Sequence, residues 1–244
     1  MLPNALVVEG GKPLEGEVSI SGAKNAALPM IIAACLSEDG VTLTNVPVAL
    51  RDIEVVIELM RALGAEIQLE GRTLRLRRAG LSVSRIPAEL AHQIRSSILL
   101  LSVAAALGED AFLPLPGGCP IGERGVDIHI EGLRALGARI EETEEGIQVY
   151  GGALKGTDFT LRLPSTTATQ NIMIAACYAQ GRTTIQNSHT RPENIELAEL
   201  LKAMNGRITV RKRVIEVEGT GGLGGSCSRA VMPGWDEATA YMVG

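Results

Sequence analysis

At 244 residues, with 45% hydrophobic and 21% charged side chains, the chain is long enough to bury the core of one large domain or two small ones. A net charge of −5, with Lys and Arg scattered, excludes the basic face that would oblige a nucleic-acid partner. Aromatic residues make up only 2%, so the core is expected to consist of Ala, Leu, Ile and Val at close approach, as where helices pack tightly together or beneath sheets.

The N-terminus, MLPNALVVEGGK, has neither the basic region nor the long apolar run of a secretory signal. The longest apolar runs, 26–36 and 98–107, are broken by Pro29 and Ser102 and fall short of a membrane span. A cytoplasmic protein without a membrane partner is expected. The four cysteines, Cys35, Cys119, Cys177 and Cys227, form no CxxC and have no His at ligand spacing, which points to thiols rather than a zinc site or a disulfide framework.

In chain order, residues 6–21 alternate Val and Ile with polar residues and predict two strands joined across Gly10–Gly16. A helix follows over 25–37, in which Pro29 is tolerable only near the first turn. Next come a strand (41–46), an amphipathic helix (52–63) and a hairpin (66–77). That second helix carries Ile53, Val56, Ile57, Met60 and Leu63 on one face, Asp52 at its start and Gly64 as its C-terminal cap.

The pattern then returns: helix 96–108, strand 111–115, helix 127–136 with the same ending RALGA, and hairpin 139–150. A third copy runs through 169–181, 183–187, 193–204 and 207–218. Glycine caps at Gly64, Gly137 and Gly206 set a repeat of about 70 residues, too long for a solenoid of short repeats. Three βαβαββ units are expected, their apolar helices gathered in the middle and their sheets facing outward. A fourth unit opens with a strand at 224–232 and a helix at 236–243, where the chain stops at Gly244.

The repeat supplies an internal control. From strand end to second helix the connection spans six positions from Val46 to Asp52 and from Asn187 to Glu193, but twelve from Leu115 to Asp127. Long connections in otherwise regular units are usually functional. This one, PLPGGCPIGERGV, carries Cys119 and Arg124 among glycines, where a thiol is expected to have a lowered pKa and an accessible sulfur. Cys35 and Cys177, each in a repeat of IAAC on an apolar helix, are inert by contrast.

Lys24 and Asn25 stand where a helix begins, and offer either a solvated lysine beside an N-cap or a cation and an amide beside free helix N–H groups. Together with Arg95, near the start of the corresponding helix in unit two, and Arg124, they make three cations at a common end of the units, suited to phosphate or carboxylate. Asp127 and His129 either cap the helix they begin or face a ligand, whereas His92 and His189 are expected at the surface.

Four segments carry a resemblance: SGAKNAALP (21–29), IRSSI (94–98), PGGCPIGERGVDIHIEGL (116–133) and PSTTATQNIMIAA (164–176). Together they resemble the UDP-N-acetylglucosamine 1-carboxyvinyltransferases, the enolpyruvyl transferases of peptidoglycan synthesis. The resemblance implies an α/β fold, the inside-out α/β barrel of three βαβαββ repeats shared with the shikimate-pathway enolpyruvyl transferase. It implies a first domain over 22–223, with repeats at about 22–80, 81–151 and 152–223, and residues 1–21 and 224–244 belonging to a truncated second domain.

The implied reaction moves enolpyruvyl from phosphoenolpyruvate to the 3-hydroxyl of UDP-N-acetylglucosamine by addition and elimination, releasing phosphate, with no metal or organic cofactor. By resemblance, Lys24 holds phosphoenolpyruvate, Asn25 orients ligand, Arg124 binds the phosphate, and Cys119 is proton donor and thiol nucleophile. Arg95, Gly125, Val126, Asp127, Ile128, His129 and Ser165 bind the nucleotide sugar. The chain departs from the family at Gly125, where proline is usual, at Thr166–Thr167, in SHTRPEN (188–194), and at Trp235, where a basic residue is usual. With the second domain's aspartate base and arginines missing, the chain alone is expected to be weak or inactive, with an exposed surface open to self-association. Two other readings stay open: an inactive nucleotide-sugar-binding or regulatory half-protein, and the shikimate-pathway enzyme, which SGAKN and Cys119 disfavour.

Overall fold

The computed structural model describes residues 7, 10–11, 15–117 and 125–243. The first unit comprises α1 (Lys24–Ala34), β1 (Val41–Thr44), α2 (Arg51–Ala62) and the hairpin β2 (Glu66–Glu70)–β3 (Thr73–Arg77). The second comprises α3 (Ala88–Ala91), a 3-10 turn (Arg95–Leu99), α4 (Leu100–Leu107), β4 (Ala111–Pro114), α5 (Asp127–Ala135), β5 (Arg139–Glu142) and β6 (Gly146–Tyr150). The third comprises β7 (Asp158–Thr160), α6 (Thr166–Ala176), β8 (Arg182–Gln186), α7 (Pro192–Ala203), β9 (Arg207–Arg211) and β10 (Val214–Glu218), followed by β11 (Cys227–Ala230) and α8 (Trp235–Val243).

The first helix of each unit is covered on every side: α1 and α4 are almost wholly apolar along their buried length, and α6 buries Gln170 and Asn171 with hydrogen-bond partners. Residues 26–34 of α1, 100–105 of α4 and 168–176 of α6 are buried. These helices form a continuous helical core with the second helices: α1 packs on α2, α7 and the 3-10 turn, α4 on α6, and α6 on α5, α7 and the 3-10 turn. Alanines at Ala26, Ala27, Ala104, Ala105, Ala168 and Ala175 let the helix axes approach. Among the described residues the strands form three sheets, ordered β11-β1-β3-β2, β4-β6-β5 and β7-β8-β10-β9. Their alternation, as in Leu74 and Leu76 buried beside exposed Arg75 and Arg77, turns one face to the helices and one to solvent.

The shared ending RALGA has a common structural meaning. Arg61 donates from Nε and Nη2 to the Ile67 carbonyl at 3.2 and 2.8 Å, and Arg134 does the same to Ile140 at 3.2 and 2.7 Å. Gly64 and Gly137 then take φ of 95° and 92° in the left-handed turn that stops each helix. In the third unit the left-handed residue is Asn205 (φ 68°), one position before the expected cap Gly206. Asn is the residue other than Gly that best tolerates this conformation.

Units one and three share a second device. Asn45 and Asn187, just past β1 and β8, take φ of 56° and 55°. Their side-chain amides reach across to a parallel neighbour, donating to Val231 O at 3.0 Å and Leu161 O at 2.7 Å. Unit two has Leu115 there, and its sheet lacks a parallel edge strand among the described residues. The segment that would lie beside β4 is held instead by Glu109, whose carboxylate accepts from the Val83 N–H and the Ser82 hydroxyl, both at 2.8 Å.

The helix expected over 169–181 runs Thr166–Ala176 and the one expected over 25–37 ends at Ala34, and three other elements differ further from expectation. The helix predicted over 96–108 begins as a 3-10 turn, because the Ser97 hydroxyl donates to Ala91 O and Ile94 O at 2.9 and 2.8 Å and tightens the chain there. The predicted strand pair over 6–21 is absent at 15–21: no described strand lies alongside, Val18 is 52% exposed, and alternation specifies a strand only where a sheet buries one face. Most of 6–14 falls outside the described residues. The strand expected to open a fourth unit, β11, pairs in parallel with β1 from Val41↔Cys227 to Thr44↔Ala230 and so completes the sheet of the first unit. No helix among the described residues is long and apolar enough to cross a membrane.

Candidate active site

The helices of all three units begin at one end of the helical core. Lys24 at the start of α1 meets Asp52 in the first turn of α2, and Arg51 donates to Gln93 just before the 3-10 turn at 2.9 Å. Asp127 in the first turn of α5 meets Arg162, shortly before α6, while Asn194 in the first turn of α7 donates to Thr166 O at 3.2 Å. Helix N-termini present unpaired N–H groups and the positive end of the dipole, so their convergence favours anions.

The two helix classes treat that field differently. The amphipathic helices α2, α5 and α7 carry their own first-turn acids, Asp52, Asp127 and Glu193. The buried helices α1 and α6 and the 3-10 turn have none. Their starts carry or lie near cations instead: Lys24, Arg162 and Arg95. The unbalanced positive ends therefore belong to the first helices.

At α1, Ala23 is the N-cap and contributes no side-chain cap, leaving the Lys24 and Asn25 N–H groups without an acceptor among the described residues. Lys24 Nζ lies 2.7 Å from Asp52 Oδ2, with both side chains well exposed. Asn25 is exposed at the same helix start. Pro29, sixth in α1, has no N–H to give the Asn25 carbonyl, so that carbonyl lacks its helical partner.

Cys119 and Arg124 lie outside the described residues. The flanks of their connection are described, and they bear out its length: residues 115–126 join β4 to α5, against 45–50 and 187–191 in the sister units. Its entry is fastened by the Leu115 N–H donating to Glu145 O at 3.3 Å and by His92 Nδ1 at 2.7 Å from Leu115 O. Gly117 sits against the His92 carbonyl, where a Cβ would overlap the oxygen. Its exit is Gly125, exposed, and Val126, the N-cap of α5. Neither Asp127 nor His129 caps that helix; the N-cap forms no side-chain hydrogen bond.

His129 turns inward. It is 5% exposed, and its Nδ1 lies 2.8 Å from Asn171 Nδ2. Asn171 is itself oriented, accepting from Ser102 N at 3.2 Å through Oδ1 and donating to Ile98 O at 3.0 Å. An amide NH2 facing Nδ1 makes that nitrogen the acceptor and puts the imidazole proton on Nε2. Burial first, and then the nearby Arg95 charge, lower its pKa from 6.5 to about 4. His129 is thus a neutral post joining α5, α6 and the 3-10 turn, with Arg95, half-buried, beside it.

Ser165 is the N-cap of α6, its hydroxyl accepting from Ala168 N at 3.3 Å. Ile128 is half-buried against the core. The 188–194 segment is tied down rather than open: Asn194 donates to His189 O at 2.6 Å and accepts from Gln170 at 2.8 Å. Trp235 donates its indole N–H to the buried Glu193 at 3.2 Å. His189 is half-buried rather than at the surface, because its N–H donates to Thr169 Oγ1 at 3.2 Å and draws the residue against α6. Burial raises the Cys35 thiol pKa and pushes Cys177 up to about 12, so neither is a nucleophile.

Sequence reasoning overlooked Arg162. Its signal was available as a cation near the start of the third unit's first helix, the place Lys24 and Arg95 hold in the other two. No cluster of His, Cys, Asp and Glu fit to hold a metal exists among the described residues. A cavity of about 550 Å³ lined by Thr42, Gln68, Arg75 and Cys227 lies against the first sheet and includes none of the candidate residues.

Comparison with known proteins adds the family. The chain matches the family described as EPSP synthase (3-phosphoshikimate 1-carboxyvinyltransferase) over residues 8–244. It is 40% identical over 239 residues to the UDP-N-acetylglucosamine 1-carboxyvinyltransferase of Psychromonas ingrahamii, covering 97% of this chain and 57% of that protein. It is 41% identical over 241 residues to the protein of the same name from Shewanella frigidimarina, covering 98% and 57%. The chain therefore spans about half the length of the curated relatives it matches. Among solved structures it resembles the enolpyruvyl transferase NikO from Streptomyces tendae, with a TM-score of 0.83 at 19% identity, over 96% of this chain and 55% of that one. EPSP synthase from Acinetobacter baumannii gives 0.75 at 22% identity, over 96% and 53%. With its inward-gathered helices, outward sheets and family match over nearly its whole length, the chain has the enolpyruvyl transferase fold and belongs to the EPSP synthase family.

Proposed function

We propose that this chain forms the first domain, over residues 22–223, of an enzyme that transfers enolpyruvyl from phosphoenolpyruvate to the 3-hydroxyl of UDP-N-acetylglucosamine and releases phosphate, in the cytoplasmic stage of peptidoglycan synthesis. The observation that carries the choice of acceptor is the 40–41% identity along 97–98% of the chain to proteins named for that sugar nucleotide. Identity to the structurally similar EPSP synthase is 22%.

In this reading Lys24 and the free N–H groups of α1 hold phosphoenolpyruvate together with Arg124, while Asn25 orients it. Cys119 protonates the methylene carbon to a methyl group as the sugar 3-hydroxyl gives up its proton and its oxygen adds to the adjacent carbon; loss of phosphate and of a proton from that methyl group then restores the double bond. Arg95, Gly125, Val126, Asp127, Ile128 and Ser165 take the nucleotide sugar. His129 acts from beneath, fixing the first turn of α5 rather than donating charge.

Calorimetry on the 244-residue chain tests the acceptor, with UDP-N-acetylglucosamine and shikimate 3-phosphate as competing ligands. Saturable binding of the sugar nucleotide is expected, and Lys24→Met is expected to abolish binding of phosphoenolpyruvate. Preference for shikimate 3-phosphate overturns the reading.

A further inference from the structure

We propose that Arg162 is a specificity-determining residue of the nucleotide end of this site, holding the diphosphate of the sugar nucleotide. The inference rests on the reading that residues 125–129 and Ser165 take that ligand.

Arg162 lies in the connection between β7 and α6, three residues before the α6 N-cap Ser165. Its Nη2 is paired with Asp127 Oδ2, and its Nε lies 3.5 Å from Glu131 Oε1, one turn further along α5. One guanidinium thus spans the two segments proposed to share the nucleotide. Nη1 is committed to neither carboxylate, and the side chain is 48% exposed. A guanidinium has donors enough to keep a carboxylate while it receives a phosphate oxygen. A lysine would not bridge in this way.

Gly125 lies beside the same carboxylate: a Cβ at that position would stand 2.5 Å from Asp127 Oδ1, so a side chain there requires the carboxylate to rotate. The helix that follows Arg162, α6, has no first-turn acid, so its positive end reinforces the guanidinium instead of being neutralised. An ion pair this exposed is a poor structural tie, so the position is available for binding.

The test is calorimetry of the full chain with UDP and with uridine, which differ by the diphosphate. Arg162→Met is expected to weaken UDP by about tenfold or more and to leave uridine within about twofold, with Arg162→Lys between. Glu131→Gln keeps the cation and is expected to bind UDP at least as tightly as the parent. Equal losses on UDP and uridine make Arg162 a mere tie between α5 and α6, and an unchanged UDP affinity removes it from the site; either overturns the proposal. If the parent binds neither UDP nor UDP-N-acetylglucosamine, the functional reading falls first and Arg162 with it. Parent binding to both with an unaffected Arg162→Met sinks Arg162 alone.

Discussion

Acid should loosen this fold through one residue, His129. Below pH 6.5 an unfolded chain protonates its histidines, whereas folded His129 resists until about pH 4, because burial and Arg95 disfavour the cation. The unfolded state therefore binds more protons in that window, and stability rises with pH across it. The contribution of His129 is complete above its unfolded pKa and is lost as pH falls towards the folded one. Every tenfold difference in proton affinity between folded and unfolded chain corresponds to about 1.4 kcal/mol, so the full loss is about 3 kcal/mol, and about 2 kcal/mol of it falls between pH 7.5 and 5. The local reason is specific: a proton on Nδ1 would face the Asn171 NH2, donor against donor, while Asn171 is pinned by Ser102 and Ile98. Urea unfolding at pH 7.5, 6 and 5 measures it, on the parent and on His129→Gln, whose amide oxygen can accept from Asn171 and does not titrate. The parent is expected to lose about 2 kcal/mol more than the variant between pH 7.5 and 5. Parallel curves refute the reasoning, as does a parent NMR titration in which the His129 ring protonates near pH 6.5.

Lys24 is held by Asp52 in an exposed pair, so Asp52→Asn should cost at most about 1 kcal/mol in urea unfolding while tightening phosphoenolpyruvate binding several-fold. Weaker binding would mean that Asp52 positions the lysine rather than competing for it. Asn187→Ala removes an interstrand hydrogen bond and puts at φ 55° a residue that tolerates the left-handed region less well than asparagine, a loss of about 2–3 kcal/mol, whereas Asn187→Gly recovers the backbone part. Equal losses in the two variants would show that the left-handed turn is not strained. Under native conditions a thiol reagent should spare Cys35 and Cys177, and Cys119→Ser should abolish labelling by a thiol-reactive phosphoenolpyruvate mimic while Cys35→Ser keeps it. The reverse pattern would move the nucleophile out of the connection.

The repeat was legible because each unit solves the same packing problem with the same residues. RALGA recurs because an arginine must satisfy the carbonyl of the following strand and a left-handed residue must stop the helix, and both constraints are local. Local constraints read well from sequence. Asn205 was misjudged because glycine hides the ability of asparagine to do the same job. The strand expected at 15–21 and the partner of β11 differed for the opposite cause. Strand pairing depends on which distant edge is available, as β11 finding β1 across nearly the whole chain illustrates. Burial of His129 was illegible too, since its partner Asn171 is 42 residues away and belongs to another unit.

The site follows from the architecture more than from any motif. A helix covered on all sides, as α1 and α6 are, exposes polar groups only at its ends; the polar side chains along α6, Gln170 and Asn171, are buried and hydrogen-bonded, and uncompensated acids are excluded from its length by burial. The amphipathic helix α2 has a solvent face that carries its first-turn acid Asp52, whereas the first-turn acid of α7, Glu193, is buried and held by the Trp235 indole; either way the dipole is satisfied locally. Putting the covered helices in the centre therefore gathers their uncompensated N-termini, with the cations around them, at one end of the core. Lys24 was found because its segment is distinctive; Arg162 was missed because it precedes its helix and meets its carboxylates only through a neighbouring unit. Searching each repeat for the cation nearest an acid-free helix start would have found both.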